Sequence, residues 1–127
     1  MEAQITGTQR KVMTSSVRPV KVSHGSEGIS ISGGKTLPFR VERSWSAPAG
    51  IYPEQWFLVR PDTREVLYEG PVVERSIWGL QGLTEVADEV SDPLALEPGT
   101  YLIVFALGGQ MGGQTEVEAA EAPATAA

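Results

Sequence analysis

Seven consecutive apolar residues, Tyr101 to Leu107, follow a Glu97-Pro98-Gly99 turn signal and predict a β-strand. Elsewhere the apolar positions alternate with a period of two, the spacing that puts one face of a strand in a core and the other in water. Ile29 and Ile31 alternate with Ser30 and Ser32 and stop at Gly33-Gly34. Leu37, Phe39, Val41 and Trp45 share one parity, while Thr36, Arg40, Glu42 and Ser44 take the other. The segments 55–60 and 65–69 flank Pro61-Asp62 and predict a hairpin, and 71–78 adds a strand carrying Val72, Val73, Ile77 and Trp78. Val17 to Val22, interrupted by Pro19, reads as an edge strand, because proline donates nothing to a ladder. Gln114 to Glu118 supplies a last strand with Val117 inward. One stretch breaks the pattern: Leu83, Val86, Ala87 and Val90 fall at i, i+3, i+4 and i+7 behind Thr84, a candidate N-cap, and before Asp92-Pro93. That spacing predicts a short helix over 83–90.

The ends are different in kind. Residues 1–16 are polar, with Ile5, Val12 and Met13 as apolar anchors and no period, and read as an extended N-terminal arm. Residues 119–127 are Ala-rich and carry nothing large to bury, and read as a low-complexity tail. Between them, 17–118 is expected to form one all-β domain, an antiparallel β-sandwich with one short helix.

Two segments are apolar on both faces. Tyr101, Ile103, Phe105 and Leu107 lie on one side of their strand and Leu102, Val104 and Ala106 on the other; Trp56 and Leu58 oppose Phe57 and Val59 in the same way. A two-layer sandwich buries one face of each strand, so the second face calls for cover by the helix, the arm or another subunit. Each such side chain left wet forfeits about 1.5 to 3 kcal/mol.

Composition narrows the chemistry. The chain of 127 residues has no cysteine, which excludes disulfides, thiolate nucleophiles and cysteine metal sites. The N-terminus lacks the apolar core of a signal peptide and no run approaches the length of a membrane span, so the protein reads as made in the cytoplasm. Net charge is −6, unevenly spread: residues 1–45 hold seven basic residues and three acids, and the remainder three basic residues and thirteen acids. The two halves attract each other within a molecule or between neighbours, and the acidic body argues against nonspecific nucleic-acid binding.

No constellation for catalysis stands out. His24 and Ser26 share a turn without the context of an activated nucleophile. Glu85, Asp88, Glu89 and Asp92 lack the ligand alternation of a calcium loop and read as a solvated helix face. The run 108–113 lacks the lysine of a phosphate-cradling loop and reads as a mobile hairpin tip. No cofactor or metal is indicated. Among the aromatic residues, Trp45 shares its parity with core positions, whereas Tyr52 and Tyr68 are candidates for ligand contact.

The segment Leu96-Glu97-Pro98-Gly99-Thr100-Tyr101 and the apolar strand after it resemble the penultimate-strand signature of immunoglobulin-like and fibronectin type III sandwiches. That resemblance implies an immunoglobulin-like fold in which a Tyr hydroxyl ties the turn back to the domain. In outline, a small cysteine-free sandwich with an arm at each end is also similar to decoration or accessory proteins of tailed-phage capsids. The expected function is a non-enzymatic structural component of a virion, with further copies of itself or a capsid shell as partners, and neither nucleic acid nor membrane. Its interface residues would be Ile5, Arg10, Lys11, Val12 and Met13 of the arm, with Phe57, Val59, Leu102 and Val104 of the outer strands. The alternative is an immunoglobulin-like carbohydrate- or protein-binding module that uses Tyr52, Tyr68 and the 108–113 loop.

Overall fold

The computed structural model describes residues 11–20 and 27–122. Ten strands account for its regular structure: β1 (Lys11–Pro19), β2 (Ile29–Ser32), β3 (Lys35–Thr36), β4 (Phe39–Ser46), β5 (Gly50–Val59), β6 (Val66–Glu69), β7 (Val73–Ile77), β8 (Thr84–Val90), β9 (Gly99–Leu107) and β10 (Gln110–Glu121). They form a three-stranded sheet in the order β1-β4-β8 and a seven-stranded sheet in the order β3-β2-β10-β9-β5-β6, with β7 paired to β5. The fold is therefore all-β, and no helix occurs among the described residues.

The helix expected over 83–90 is strand β8, paired antiparallel with β4 from Phe39↔Val90 to Trp45↔Thr84. The helical spacing was a coincidence of Asp88. Thr84, Val86, Asp88 and Val90 share a face that turns inward, but a carboxylate at an inward position disguised the alternation. The β-branched residues and the open edge of β4 decided the outcome.

Two further expectations are corrected. Lys11 to Ser16, read as arm, belong to β1 and pair with β4 through a bulge between Val12 and Thr14. Ala119 to Glu121, read as tail, belong to β10 and pair with β2 in parallel, so the larger sheet is mixed rather than wholly antiparallel. Ile5 and Arg10 lie outside the described residues.

The inner faces of both sheets meet in one core that includes Phe39, Val41, Trp45, Trp56, Leu58, Ile103, Phe105 and Leu107, each at 0 or 1% exposure. Trp45 meets Phe105 edge-on with ring centroids 6.5 Å apart. Along one side the sheets curl toward each other. The Gly28 amide donates to the Val17 carbonyl at 2.6 Å, and a Cβ on Gly113 would stand 3.2 Å from that of Val12. The Gly108-Gly109 pair, with φ of 64° and 81°, makes the tight turn that lets β10 return directly onto β9.

The second face of the doubly apolar strands is buried too. Val59, Leu102 and Val104 are 5, 7 and 4% exposed and form a small outer cluster with Phe57. Arg64, held at φ 65° in the β5–β6 turn, reaches beyond β9 to donate from Nη1 to Oε1 of Gln114 on β10 at 3.4 Å. Its aliphatic stem is suited to screening apolar surface while the charged head stays wet.

Candidate functional site

Three inward positions that the alternation assigns to apolar residues carry charge. Arg43 follows Phe39 and Val41 on β4, Glu54 precedes Trp56 and Leu58 on β5, and Asp88 sits between Val86 and Val90 on β8. These three, with Arg75 from β7, form a network between the sheets. The side chains of Arg43 and Glu54 are 0% and 1% exposed. Arg43 donates from Nε to Glu54 Oε2 at 2.8 Å, from Nη2 to Asp88 Oδ2 at 2.9 Å and from Nη1 to the Val41 carbonyl at 3.1 Å. Arg75 donates to Glu54 Oε1 at 3.0 Å and to Asp88 Oδ1 at 2.8 Å. Two indoles complete it: Trp45 Nε1 donates to Glu54 at 2.6 Å and Trp56 Nε1 to Asp88 at 3.1 Å. The guanidinium of Arg43 also stacks over Phe105, 5.7 Å from the ring centroid.

Two guanidiniums meet two carboxylates, so the cluster is neutral as a whole. Burial alone would push the Asp88 carboxyl up; the charge and hydrogen bond of Arg43, then those of Arg75, outweigh it and hold Asp88 below the usual carboxylate range. Burial would likewise lower Arg75, but its bonds to Glu54 and Asp88 leave it above its ordinary value. The network joins β4 and β8 of one sheet to β5 and β7 of the other.

The outer face of the three-stranded sheet is polar. Thr14, Ser16, Arg40, Glu42, Ser44, Glu85 and Ala87 are among the residues lining a shallow groove of about 450 Å³. Thr14 Oγ1 donates to Ser44 Oγ at 3.2 Å. Glu42 is bridged by Arg18 and Arg40, each at 2.7 Å, and Arg40 also reaches Glu89 at 3.1 Å. The hydrogen bond from Arg40 is the main cause of a lowered Glu42 carboxyl. The basic N-terminal part of the chain thus becomes β1 and β4, side by side, and brings Lys11, Arg18 and Arg40 to one face.

Lys11 and Met13 are exposed on β1 and Val12 is half-buried. Tyr52 and Tyr68 are both half-buried. The Tyr52 hydroxyl donates to the Pro48 carbonyl at 2.7 Å, and Tyr68 packs on Trp56 at 5.4 Å. The sequence reading missed Arg43, Glu54, Arg75 and Asp88; a charge at an inward position of an alternating strand was the available signal for the first, second and last. It also placed Trp78 in a strand, whereas Trp78 follows β7 and is 79% exposed. Among the described residues, no group of three or more His, Cys, Asp or Glu is placed to hold a metal ion. No helix there is long and apolar enough to cross a membrane.

No protein-family model matches the sequence, and no curated protein does. Among solved structures, the chain is similar to the Pseudomonas fluorescens alkylpurine DNA glycosylase AlkC bound to DNA containing an abasic site analog. The TM-score is 0.57 at 16% identity, over 90% of this chain and 31% of that one. The likeness is one of fold and spans less than a third of the glycosylase. It corrects the expectation of a non-enzymatic virion component, partnered by copies of itself or a capsid and without nucleic acid. That neighbour is a DNA glycosylase, an enzyme, bound to DNA.

Proposed function

We propose that the chain is an immunoglobulin-like β-sandwich that serves a DNA-processing enzyme as its DNA-contacting module. The observation that carries this reading is that nearly all of the domain matches one part of a DNA-bound glycosylase. The sandwich assignment draws support from the Tyr101 hydroxyl, which donates to the Glu97 carbonyl at 2.6 Å and ties the turn to the start of β9. The face over β1 and β4 is the natural contact surface. Its hydroxyls at Thr14, Ser16 and Ser44, and the cations Lys11, Arg18 and Arg40, are of the kinds that hold phosphates.

The net charge of −6 keeps such binding weak. For two phosphate contacts, affinity falls about tenfold between 50 and 200 mM salt. Fluorescence anisotropy with a labelled duplex tests the proposal. Binding in the 10⁻⁴ to 10⁻⁶ M range is expected, with a salt slope shallower by about 2 after Lys11→Ala and Arg18→Ala together. Absence of binding at 100 μM protein in 50 mM salt, taken as about the upper end of that range, or a slope unmoved by the double substitution, overturns it.

A further inference from the structure

Of the three tryptophans, Trp45 and Trp56 are sealed in the core at 0 and 1% exposure, whereas Trp78 is 79% exposed. It opens the connection from β7 to β8, Trp78-Gly79-Leu80-Gln81-Gly82-Leu83, which also exposes Leu80 (55%) and Leu83 (48%). One residue in five of this chain is charged, yet the connection holds no charged side chain.

Its root is fixed. The Trp78 amide donates to Thr84 Oγ1 at 3.0 Å, closing the loop on the first residue of β8. Gly79 takes φ 129°, a conformation that L side chains rarely adopt. A pairing row, Val12–Trp45–Thr84, crosses the smaller sheet at this end. Lys11 is the next residue along β1, and Glu85, next along β8, lines the groove.

We propose that the 78–83 loop is an apolar wedge that engages DNA where a base is unstacked or missing, with Trp78 as the stacking residue. This rests on the DNA-contacting reading above. The loop offers on the order of 400 Å² of apolar surface, about half of what one partner contributes to a stable protein interface. That area does suit an aromatic and aliphatic tip entering a base step beside a face that holds phosphates. Unstacking costs least where the base is damaged, mispaired or absent, so a wedge discriminates in favour of such sites.

The three tryptophans make the test direct, since only Trp78 is open to a ligand in solution. The full chain is titrated with an intact duplex, the same duplex carrying one tetrahydrofuran abasic analogue, and the single strand. Trp emission and anisotropy are both recorded. The expected result is quenching of Trp emission and about tenfold tighter binding of the abasic duplex than of the intact one. Trp78→Ala should abolish that preference, and Trp78→Phe should retain most of it. Equal affinity for intact and abasic duplexes, or a preference that survives Trp78→Ala, overturns the wedge and leaves the DNA-contacting reading standing. Failure to bind any of the DNAs overturns both. Trp78 emission that shifts to the blue as protein concentration rises, before DNA is added, assigns the loop to a protein contact and also overturns the wedge.

Discussion

Glu54→Gln is the sharpest probe of how the two sheets are held together. Glu54 is 1% exposed and accepts four hydrogen bonds from three side chains: two from Arg43, one from Trp45 and one from Arg75. Glutamine keeps the shape but removes the charge. Whichever way the amide is turned, its NH₂ faces two donors, because Oε1 serves Arg43 and Arg75 while Oε2 serves Arg43 and Trp45. Two guanidiniums are then left against Asp88 alone, and the cluster gains a net positive charge. Removing one partner of a buried ion pair costs about 3 to 5 kcal/mol. Set against a typical total of about 5 to 15 kcal/mol, that is a large share of the stability of one domain.

Urea denaturation followed by Trp fluorescence, with near-UV circular dichroism as a check on packing, measures the loss. The same reasoning makes a second demand. Arg43→Met combined with Glu54→Leu removes a positive and a negative group together and leaves Arg75 paired with Asp88. The double variant should therefore lose less than the sum of the two singles, by about 0.5 to 3 kcal/mol of coupling. A Glu54→Gln loss below about 1 kcal/mol, or singles that add, would refute the view that these charges act as one unit.

Acid should weaken the fold in a defined window. Asp88 and Glu42 have carboxyls lowered in the folded state, so their contribution is complete above the unfolded carboxyl pKa of about 4 and is lost as pH falls through the lower folded value. The urea midpoint should be flat from about pH 7 to 5 and fall below about 4, with a smaller acid slope in Asp88→Asn; an unchanged slope would exclude Asp88 as a source. Tyr101→Phe removes the bond to the Glu97 carbonyl and should cost about 1 kcal/mol in the same assay. Gly28→Ala should be worse than Gly33→Ala, because at Gly28 a Cβ would stand 2.5 Å from the Glu118 carbonyl oxygen, whereas at Gly33 it meets open space; thermal melts of the pair decide it. Leu102→Ser should lower folding stability by about 1.5 to 3 kcal/mol, since Leu102 is 7% exposed within the chain itself.

Much of the architecture was legible because alternation is a local signal. Ile29 and Ile31, and Phe39, Val41 and Trp45, were assigned inward from parity and are buried, whereas Leu37, assigned with them, lies before β4 and is 38% exposed. The 55–69 hairpin and the β9 strand lie where their turn residues placed them. The signal failed where charge entered the core. A helix over 83–90 was attractive only while Asp88 was assumed to face water, and Arg43 was passed over on a strand whose parity pointed it inward. Both errors have one cause: the partners that make those charges tolerable lie 11 to 45 residues away along the chain, and pairing at that range leaves no local trace. Trp78 failed in the opposite sense, as a large apolar residue that the fold leaves outside.

The division of the chain into a basic first part and an acidic remainder posed a choice between attraction within one molecule and attraction between neighbours. The ion pairs place much of it within the molecule. Arg43 reaches Glu54 and Asp88, and Arg40 reaches Glu89, each bond joining the basic part to the acidic one. Such pairing consumes the cations that point inward or across to β8. On the outer side of β1, Lys11 is exposed and Arg18 is bonded to a carboxylate that Arg40 shares. The groove hydroxyls of Thr14, Ser16 and Ser44 lie on that same face beside Glu42 and Glu85, so a phosphate bound there meets carboxylates as well as cations, and the contact is kept weak.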